Sequence, residues 1–133
     1  DDASAMLTTL GVSAFAKTIL EDTSGGAMWA TMGGTVGAGF WILPNGIKII
    51  QSNVAGTTDA SGSLTVSFPT AFLSNTSFTI AAWNGNQSAN ATVSQYRDGT
   101  NPTSAYFTTV WRTPAGAAFA NQSVTLSYIA IGI

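Results

Sequence analysis

The chain has 133 residues, a length that suits one domain with a buried core, yet only 8% of them are charged while 45% are hydrophobic. With no cysteine and no histidine, the sequence excludes a disulfide framework and thiolate metal sites, and it lacks the commonest general base. Either the chain covers both faces of its sheets itself, or its outer surface meets further copies of the chain. We favour further copies, because obligate subunit interfaces resemble a core cut in half.

The charge distribution and the short apolar runs argue against two classes of partner, nucleic acid and membrane. Residues 1–33 hold four acidic residues and one lysine, whereas residues 34–133 hold two acidic and three basic residues. Neither part has the basic stripe that neutralises nucleic-acid phosphates. No apolar run approaches the roughly 18 residues of a membrane helix. We therefore expect no nucleic-acid partner and no membrane insertion.

The first third of the sequence contains a degenerate repeat. Ala5–Gly11 (AMLTTLG) matches Ala27–Gly33 (AMWATMG) at an offset of 22 residues. Hydroxyl or acidic residues upstream suit helix N-caps, and each copy closes with glycine. Between the copies, five apolar residues fall on one helical face: Val12, Phe15, Ala16, Ile19 and Leu20. These features predict short helices that must pack against something, because isolated helices of this length are marginal in water. The alternative is an ordinary helical hairpin that caps a sheet.

After a glycine-rich joint the pattern changes from helical to β. Residues 40–51 predict a hairpin that turns at residues 44–46, Pro-Asn-Gly, and we place Trp41 in its core. Residues 59–62 predict a second turn. Further strands are predicted from alternating apolar residues at 63–68, 77–83, 91–96, 105–112 and 124–131. Short strands with regular turn signals indicate an antiparallel β-sandwich or barrel. We divide the chain into a helical segment, residues 1–36, and a β domain, residues 37–133.

No catalytic motif is present. The β region offers only two carboxylates, Asp59 and Asp98, and both lie in turn-like sequence where aspartate commonly hydrogen-bonds the backbone. A polysaccharide hydrolase would need two positioned carboxylates or a nucleophile with its base. We expect no enzymatic activity, no cofactor and no metal, although an ion held by backbone oxygens on a symmetry axis would leave no trace in the sequence.

Aromatic residues beside small polar ones are the best candidates for a binding site. Such sets suit sugars, whose C–H faces stack on aromatic rings while their hydroxyl groups need donors and acceptors. The alternative is that Trp83, Tyr96 and Trp111 end strands as core residues, an interpretation we favour for Trp111. The candidate receptor-binding residues are Trp83, Asn84, Asn86, Gln87, Tyr96, Arg97, Asp98, Asn101 and Arg112.

Four segments resemble the C-terminal, receptor-binding tips of tailed-phage tail fibres and of related phage-tail-like bacteriocin fibres. Residues 2–22 resemble the alanine-rich shaft repeats of those fibres. Residues 43–51 (LPNGIKIIQ) resemble their tip hairpin, residues 66–72 (VSFPTAF) a following strand, and residues 128–132 (YIAIG) the closing strand. The tryptophan and glycine that usually follow the hairpin glutamine are here replaced by serine and asparagine.

This resemblance implies a homotrimer with a short helical shaft segment and β-sandwich tips. It also implies attachment of a phage or bacteriocin particle to its host through lipopolysaccharide glycan or an outer-membrane protein. The chain would then lie at the distal end of a virion tail fibre, and its assembly could need a chaperone. Two alternatives remain: a polysaccharide depolymerase tip, and a purely structural fibre end that drives trimerisation.

Overall fold

The computed structural model describes residues 2–85, 91–96 and 102–133, and within these ranges helices precede strands. The helices are α1 (Ala3–Thr9), α2 (Ala14–Glu21) and α3 (Gly25–Thr31). The strands are β1 (Thr35–Gly37), β2 (Phe40–Ile42), β3 (Lys48–Thr57), β4 (Ser63–Ser67), β5 (Phe78–Asn84), β6 (Thr92–Tyr96), β7 (Tyr106–Arg112) and β8 (Ser123–Gly132).

Both copies of the repeat are helical and end in the same way. Gly11 (φ 74°) and Gly33 (φ 88°) adopt the left-handed conformation that glycine tolerates without a steric penalty. After α1 the N–H groups of residues 11 and 12 bond the carbonyls of residues 8 and 7; after α3 those of 33 and 34 bond 30 and 29. This is a Schellman motif, repeated at the offset of 22 residues.

The N-caps follow the predicted chemistry. The Ser13 hydroxyl accepts a hydrogen bond from the backbone N–H of Ala16 at 3.2 Å, and the Ser24 hydroxyl accepts one from Ala27 at 3.1 Å. Neither α2 nor α3 contains a buried residue. In the single chain the apolar side of these helices is therefore left uncovered, with Phe15 59% exposed and Leu20 64% exposed.

The β region forms two antiparallel sheets, which confirms the mainly β class. One sheet has the strand order β1-β2-β3-β8-β5 and the other has the order β4-β7-β6. The hairpin is confirmed, since Ile42 pairs with Lys48 and Gly46, at φ 85°, donates to the Leu43 carbonyl at 2.8 Å. Strand β3 continues to Thr57, because it pairs with β8 along its whole length.

The core lies between the two sheets and is formed by alternate residues of their strands. Trp111 and Leu126 are fully buried, as the alternation predicts, and Trp111 is confirmed as a core residue. The Phe68 ring meets Phe72 edge-on at 5.0 Å between centroids and stacks on Phe107 at 5.4 Å. Such aromatic pairs stabilise the fold beyond the area they bury.

The placement of Trp41 in the core was wrong. Its neighbour Phe40 packs against the core, and because successive strand residues point to opposite faces, Trp41 lies on the outer face of the five-stranded sheet. It is 40% exposed. The sequence contains two adjacent large aromatics here, and composition alone could not decide which one points inward.

The two ends of the sandwich differ in what they connect. The first residue of β1, Thr35, pairs with Ile42 of β2. Ile42 also pairs with Lys48, the first residue of β3. The helices therefore join the sandwich at the end that carries the residue 43–47 turn, which we call the helix-side end. The opposite end, which we call the far end, carries the residue 59–62 turn and the start of β8 at Ser123.

Candidate functional site

Trp83 and Tyr96, one from each group of predicted binding residues, lie at opposite ends of the sandwich. Strand β5 ends at the far end with Trp83 and Asn84, and Thr92 opposite Arg112 starts β6 at that same end. Strand β6 then runs to Tyr96, opposite Thr108, at the helix-side end. The four-residue step from 92 to 96 corresponds to about 13 Å of strand. A single compact site cannot include both Trp83 and Tyr96.

Several predicted site residues lie outside the described part of the chain. Of Tyr96 the structure describes only the backbone, as the last residue of β6. The residues outside the described ranges are Asn86, Gln87, Arg97, Asp98 and Asn101.

Trp83 lies on the outer face of the five-stranded sheet and is 48% exposed, so it is not a core residue. The register places it directly beside Ser127 of β8, which is itself beside Asn53 of β3. The Ser127 hydroxyl donates to Asn53 Oδ1 at 2.6 Å. An exposed indole therefore lies next to a hydrogen-bonded hydroxyl–amide pair on one face of the sheet.

A shallow depression of about 350 Å³ continues this surface toward the far end. Gly85, two residues after Trp83, donates its backbone N–H to the carbonyl of Thr125 at 2.8 Å, which connects the tryptophan strand to the depression. Consecutive outward-facing residues on a strand are about 7 Å apart. The depression is lined by small residues: Ala55, Gly56, Thr57, Ser123, Val124 and Thr125. We call Trp83, Asn53, Ser127 and this depression the far-end site.

Asn84 and Arg112 lie at the far end but bind their own chain. The Asn84 side chain donates Nδ2–H to the Ala91 carbonyl at 3.2 Å, so it links the end of β5 to the residue that precedes β6. The Arg112 guanidinium donates to the Ser61 carbonyl at 2.8 Å and thereby holds the residue 59–62 turn. Both side chains brace the end of the sandwich in the free chain.

Asp59 is a turn residue, as its sequence context predicts. Its Oδ1 accepts hydrogen bonds from the Ser61 hydroxyl at 2.6 Å and from the backbone N–H groups of Ser61 and Ser63 at 2.8 and 2.9 Å. The Ser61 hydroxyl, and then the Ser63 N–H, lower the pKa of this carboxyl group below its ordinary value. A general acid needs a raised pKa, so Asp59 is poorly suited to protonating a glycosidic oxygen.

The hydrogen bonds of Asp59 predict a pH-dependent contribution to stability. Because its pKa is lower in the folded than in the unfolded chain, this contribution is present above the unfolded pKa and is lost as the pH falls through the folded pKa. We expect Asp59→Asn to lower the melting temperature at neutral pH. The difference from the wild type should shrink under strongly acidic conditions, when both side chains are uncharged.

Thermal denaturation followed by circular dichroism, from neutral to strongly acidic pH, measures this difference. Ser61→Ala is the matched variant, since it removes the hydroxyl that lowers the pKa most. It should reproduce part of the same pH-dependent loss. A difference between Asp59→Asn and the wild type that stays constant across the range would show that the carboxylate charge is not involved.

Neither an acidic metal cluster nor a membrane-spanning helix is found in the described part of the chain. Within residues 2–85, 91–96 and 102–133, no group of three or more acidic, histidine or cysteine residues is placed to hold a metal ion. None of the helices in these ranges has the length and apolarity needed to cross a bilayer.

Sequence reasoning missed most of the far-end site. Asn53 and Ser127 are 74 residues apart, and only the pairing of β3 with β8 brings them together. Asn53 did give a signal in the sequence, because the resembled hairpin motif usually has glycine at this position. The small residues of the depression carry no motif at all.

Comparisons with known proteins bear on the fold. No protein-family model matches the chain, and no curated protein sequence matches it. Among solved structures, the C-terminal part of the P. aeruginosa R1 pyocin fibre, residues 323–701, superposes with a TM-score of 0.50 at 18% identity. That alignment covers 86% of this chain and 33% of the fibre chain. The chain shares the fold of part of this pyocin fibre.

Further pyocin fibre structures give weaker superpositions. An N-truncated R1-type pyocin tail fibre aligns over 100% of this chain and 98% of its own length, with a TM-score of 0.48 and 13% identity. The corresponding C-terminal part of the P. aeruginosa R2 pyocin fibre gives a TM-score of 0.48 at 16% identity over 84% of this chain and 30% of the fibre chain. The R1 fibre with the TM-score of 0.50 belongs to a phage-tail-like bacteriocin, which confirms the resemblance seen in the sequence as a resemblance of fold. The chain spans a third of the length of the R1 fibre structure.

Proposed function

We propose that this chain is the receptor-binding tip of a phage or bacteriocin tail fibre, and that it binds a bacterial surface glycan at the far-end site. One observation carries the proposal. A half-exposed tryptophan, Trp83, stands beside the hydrogen-bonded Asn53–Ser127 pair at the end of the sandwich opposite the helices. The pyocin fibre fold supports the same role.

The chemistry of the far-end site suits a sugar. The indole offers a flat apolar face for the C–H groups of a pyranose ring, while the amide of Asn53 and the hydroxyl of Ser127 offer donors and acceptors for its hydroxyl groups. The small side chains in the depression leave room for a ring to approach the backbone. A neutral glycan fits best, because none of the nine residues named for the site and its depression is charged: Trp83, Asn53, Ser127, Ala55, Gly56, Thr57, Ser123, Val124 and Thr125.

The path of the chain supports a distal position of the far-end site in the fibre. The helices join the sandwich at the helix-side end, so in a fibre whose shaft continues into those helices the far end points away from the shaft. A receptor on a cell surface would meet this end first. We propose that three copies form the tip, since several weak sugar sites on one tip bind a cell surface with high avidity.

We propose that the tip is not an enzyme. A depolymerase would need an acid and a base, and the turn hydrogen bonds of Asp59 lower its pKa instead of raising it. Asp98, the second carboxylate considered, lies outside the described residues. Incubation with surface polysaccharide should leave the polymer length unchanged.

The direct test is binding of the labelled chain to Gram-negative cells with intact or truncated lipopolysaccharide. We expect binding to a subset of strains and its loss when the outer glycan is truncated. Binding that survives every truncation but is lost on protease treatment of the cells would replace the glycan by an outer-membrane protein. An assembled chain that binds no strain would leave the purely structural fibre end as its role.

A further inference from the structure

Strand β3 has an open edge over the half of its length nearest the far end. Strand β2 pairs with β3 only as far as Ile50, and beyond it the N–H of Gln51 donates to the Gly39 carbonyl at 3.0 Å. Strand β3 itself continues to Thr57. In the described part of the chain, no strand pairs with residues 52–57 on the side away from β8. We call this side of residues 52–57 the open edge.

The hydrogen bonds at the two ends of this stretch show which backbone groups face the open edge. The N–H of Gln51 points toward β2, whereas the N–H of Thr58 donates to the Gln122 carbonyl, on the side of β8. Successive strand residues direct their N–H and C=O groups to opposite sides, so the even-numbered residues bond β8 and the odd-numbered ones face the open edge. The residues that face it are Asn53, Ala55 and Thr57.

The backbone groups of these three residues are available to a ligand. Among the described residues, none makes a backbone hydrogen bond with Asn53, Ala55 or Thr57 on the side of the open edge. All three residues are exposed. Proteins usually protect such an edge with a charge, a proline or a bulge. Residues 52–57 (SNVAGT) contain neither a charge nor a proline, and they pair with β8 residue for residue, without a bulge.

The open edge borders the far-end site. Ala55 and Thr57 line the depression, and the Asn53 side chain accepts the hydrogen bond from Ser127. The depression has a volume of about 350 Å³, which lies in the range of small-molecule sites. The main chain of β3 therefore adds donors and acceptors at one rim of the depression.

Trp83 and the open edge lie on opposite sides of β8. Trp83 is beside Ser127, and Ser127 is beside Asn53. Neighbouring strands are about 4.8 Å apart, so about 10 Å separates the strand of Trp83 from β3. Ala55 lies one outward-facing row further along, which adds about 7 Å in the strand direction. A single pyranose ring stacked on the indole does not reach Ala55, whereas a chain of two or more sugar residues does.

We infer that the far-end site binds an oligosaccharide of at least two residues, with one ring on Trp83 and another in the depression, where the N–H and C=O of Ala55 bond two adjacent hydroxyl groups of the sugar. This inference rests on the proposed function. One strand residue presents a donor and an acceptor on the same side of the strand. Each sugar hydroxyl group can donate and accept, so an adjacent pair matches both.

Recognition by the main chain has a consequence that side-chain recognition does not have. Proline at position 55 removes the N–H that faces the open edge but removes no bond to β8, and proline is tolerated at such an edge position. Serine at this position keeps the N–H. We therefore expect Ala55→Pro to weaken oligosaccharide binding about fivefold, the effect of one hydrogen bond, and Ala55→Ser to bind more tightly than Ala55→Pro.

A matched control is available on the other sheet. The Gly62 carbonyl accepts from Trp111 and Phe68 donates to Ala105, so the even-numbered residues of β4 bond β7 and the N–H of Thr65 faces away from it. Thr65→Pro is thus the same change at another edge, away from the far-end site, and should leave binding unchanged. The probe is the core oligosaccharide released by mild acid from the lipopolysaccharide of a strain that the labelled chain binds.

Amide hydrogen exchange, followed by nuclear magnetic resonance on the nitrogen-labelled wild type, tests the open edge directly. In the free chain the amides of residues 53, 55 and 57 should exchange at least about a hundredfold faster than those of residues 52, 54 and 56, which bond β8. The oligosaccharide should slow exchange at residue 55 severalfold. Equal protection of the two sets in the free chain, or no change at residue 55 with saturating oligosaccharide, would overturn the inference without recourse to any variant.

Competition tests the length of the ligand. The monosaccharides obtained by complete hydrolysis of the same oligosaccharide should compete at least about tenfold more weakly than the intact oligosaccharide, because none of them reaches both Trp83 and Ala55. Equal competition would contradict the two-residue span. Loss of binding in Trp83→Ala with full binding in Ala55→Pro would overturn this inference and leave the proposed function standing, whereas a chain that binds no strain would overturn both.

Discussion

Trp111→Ala is expected to lower the free energy of unfolding by about 3–5 kcal/mol, the range found when a buried aromatic is truncated and its cavity does not collapse. Trp111 has no exposed surface and lies in β7 at the centre of the smaller sheet. Its indole Nε1–H donates to the Thr109 hydroxyl at 3.0 Å, and that hydroxyl donates to the Leu64 carbonyl at 3.2 Å. The loss would be a large fraction of the total stability of a domain of this size.

Equilibrium unfolding in urea, followed by tryptophan fluorescence and circular dichroism, measures this loss. Trp83→Ala is the matched control, because the same side chain is removed from the exposed face of β5, and its midpoint should move little. Thr109→Val tests the hydrogen bonds separately and should cost about 1–3 kcal/mol by leaving the buried indole N–H without its acceptor. Similar midpoints for Trp111→Ala and Trp83→Ala would contradict the assignment of Trp111 to the core.

Trp83→Ala is expected to reduce binding to a glycan-bearing cell at least tenfold while the chain remains folded and assembled. Central tryptophans at binding surfaces typically contribute about 2 kcal/mol or more, and about 1.4 kcal/mol corresponds to a factor of ten. Because several copies on one tip would engage together, the loss on cells should exceed the loss for a single site. Titration of labelled protein onto cells with intact lipopolysaccharide measures this change.

Two variants show whether the effect belongs to the far-end site. Trp83→Tyr keeps an aromatic face and should retain part of the binding, which a simple loss of packing would not predict. Tyr96→Ala changes the last residue of β6, at the opposite end of the sandwich, and should leave binding intact. If instead Tyr96→Ala abolishes binding and Trp83→Ala does not, the receptor surface lies at the helix-side end.

The sequence predicted the elements of the fold well, because those elements depend on neighbours in the chain. The Pro-Asn-Gly turn, the alternation from Leu64 to Phe68, and the glycines that end α1 and α3 are all local signals with a direct steric or hydrophobic cause. The turn at Asp59 was also predictable, since a short acidic side chain can bond the backbone N–H groups that follow it.

The candidate site was predicted only in part. Trp83 is exposed, as a binding residue would have to be, and its role in binding stays a prediction. The sequence joined it to Tyr96 and Arg97, whereas the strand directions place Tyr96 at the other end. Adjacent loops in a sequence alternate between the two ends of an antiparallel sandwich, so similar composition does not imply a shared site. The partners of Trp83, Asn53 and Ser127, follow from the pairing of strands distant in the chain.

By itself, then, the sequence determined the class of fold, the helical repeat, the positions of the turns and the lack of charge that points to further copies. Only the tertiary structure decided the face of the strand residues that the sequence misplaced or left open, as the exposed Trp41 and Trp83 show. The physical reason is that strand geometry turns a shift of one residue into a change of face, and the choice of face depends on the partner strand and not on the residue alone.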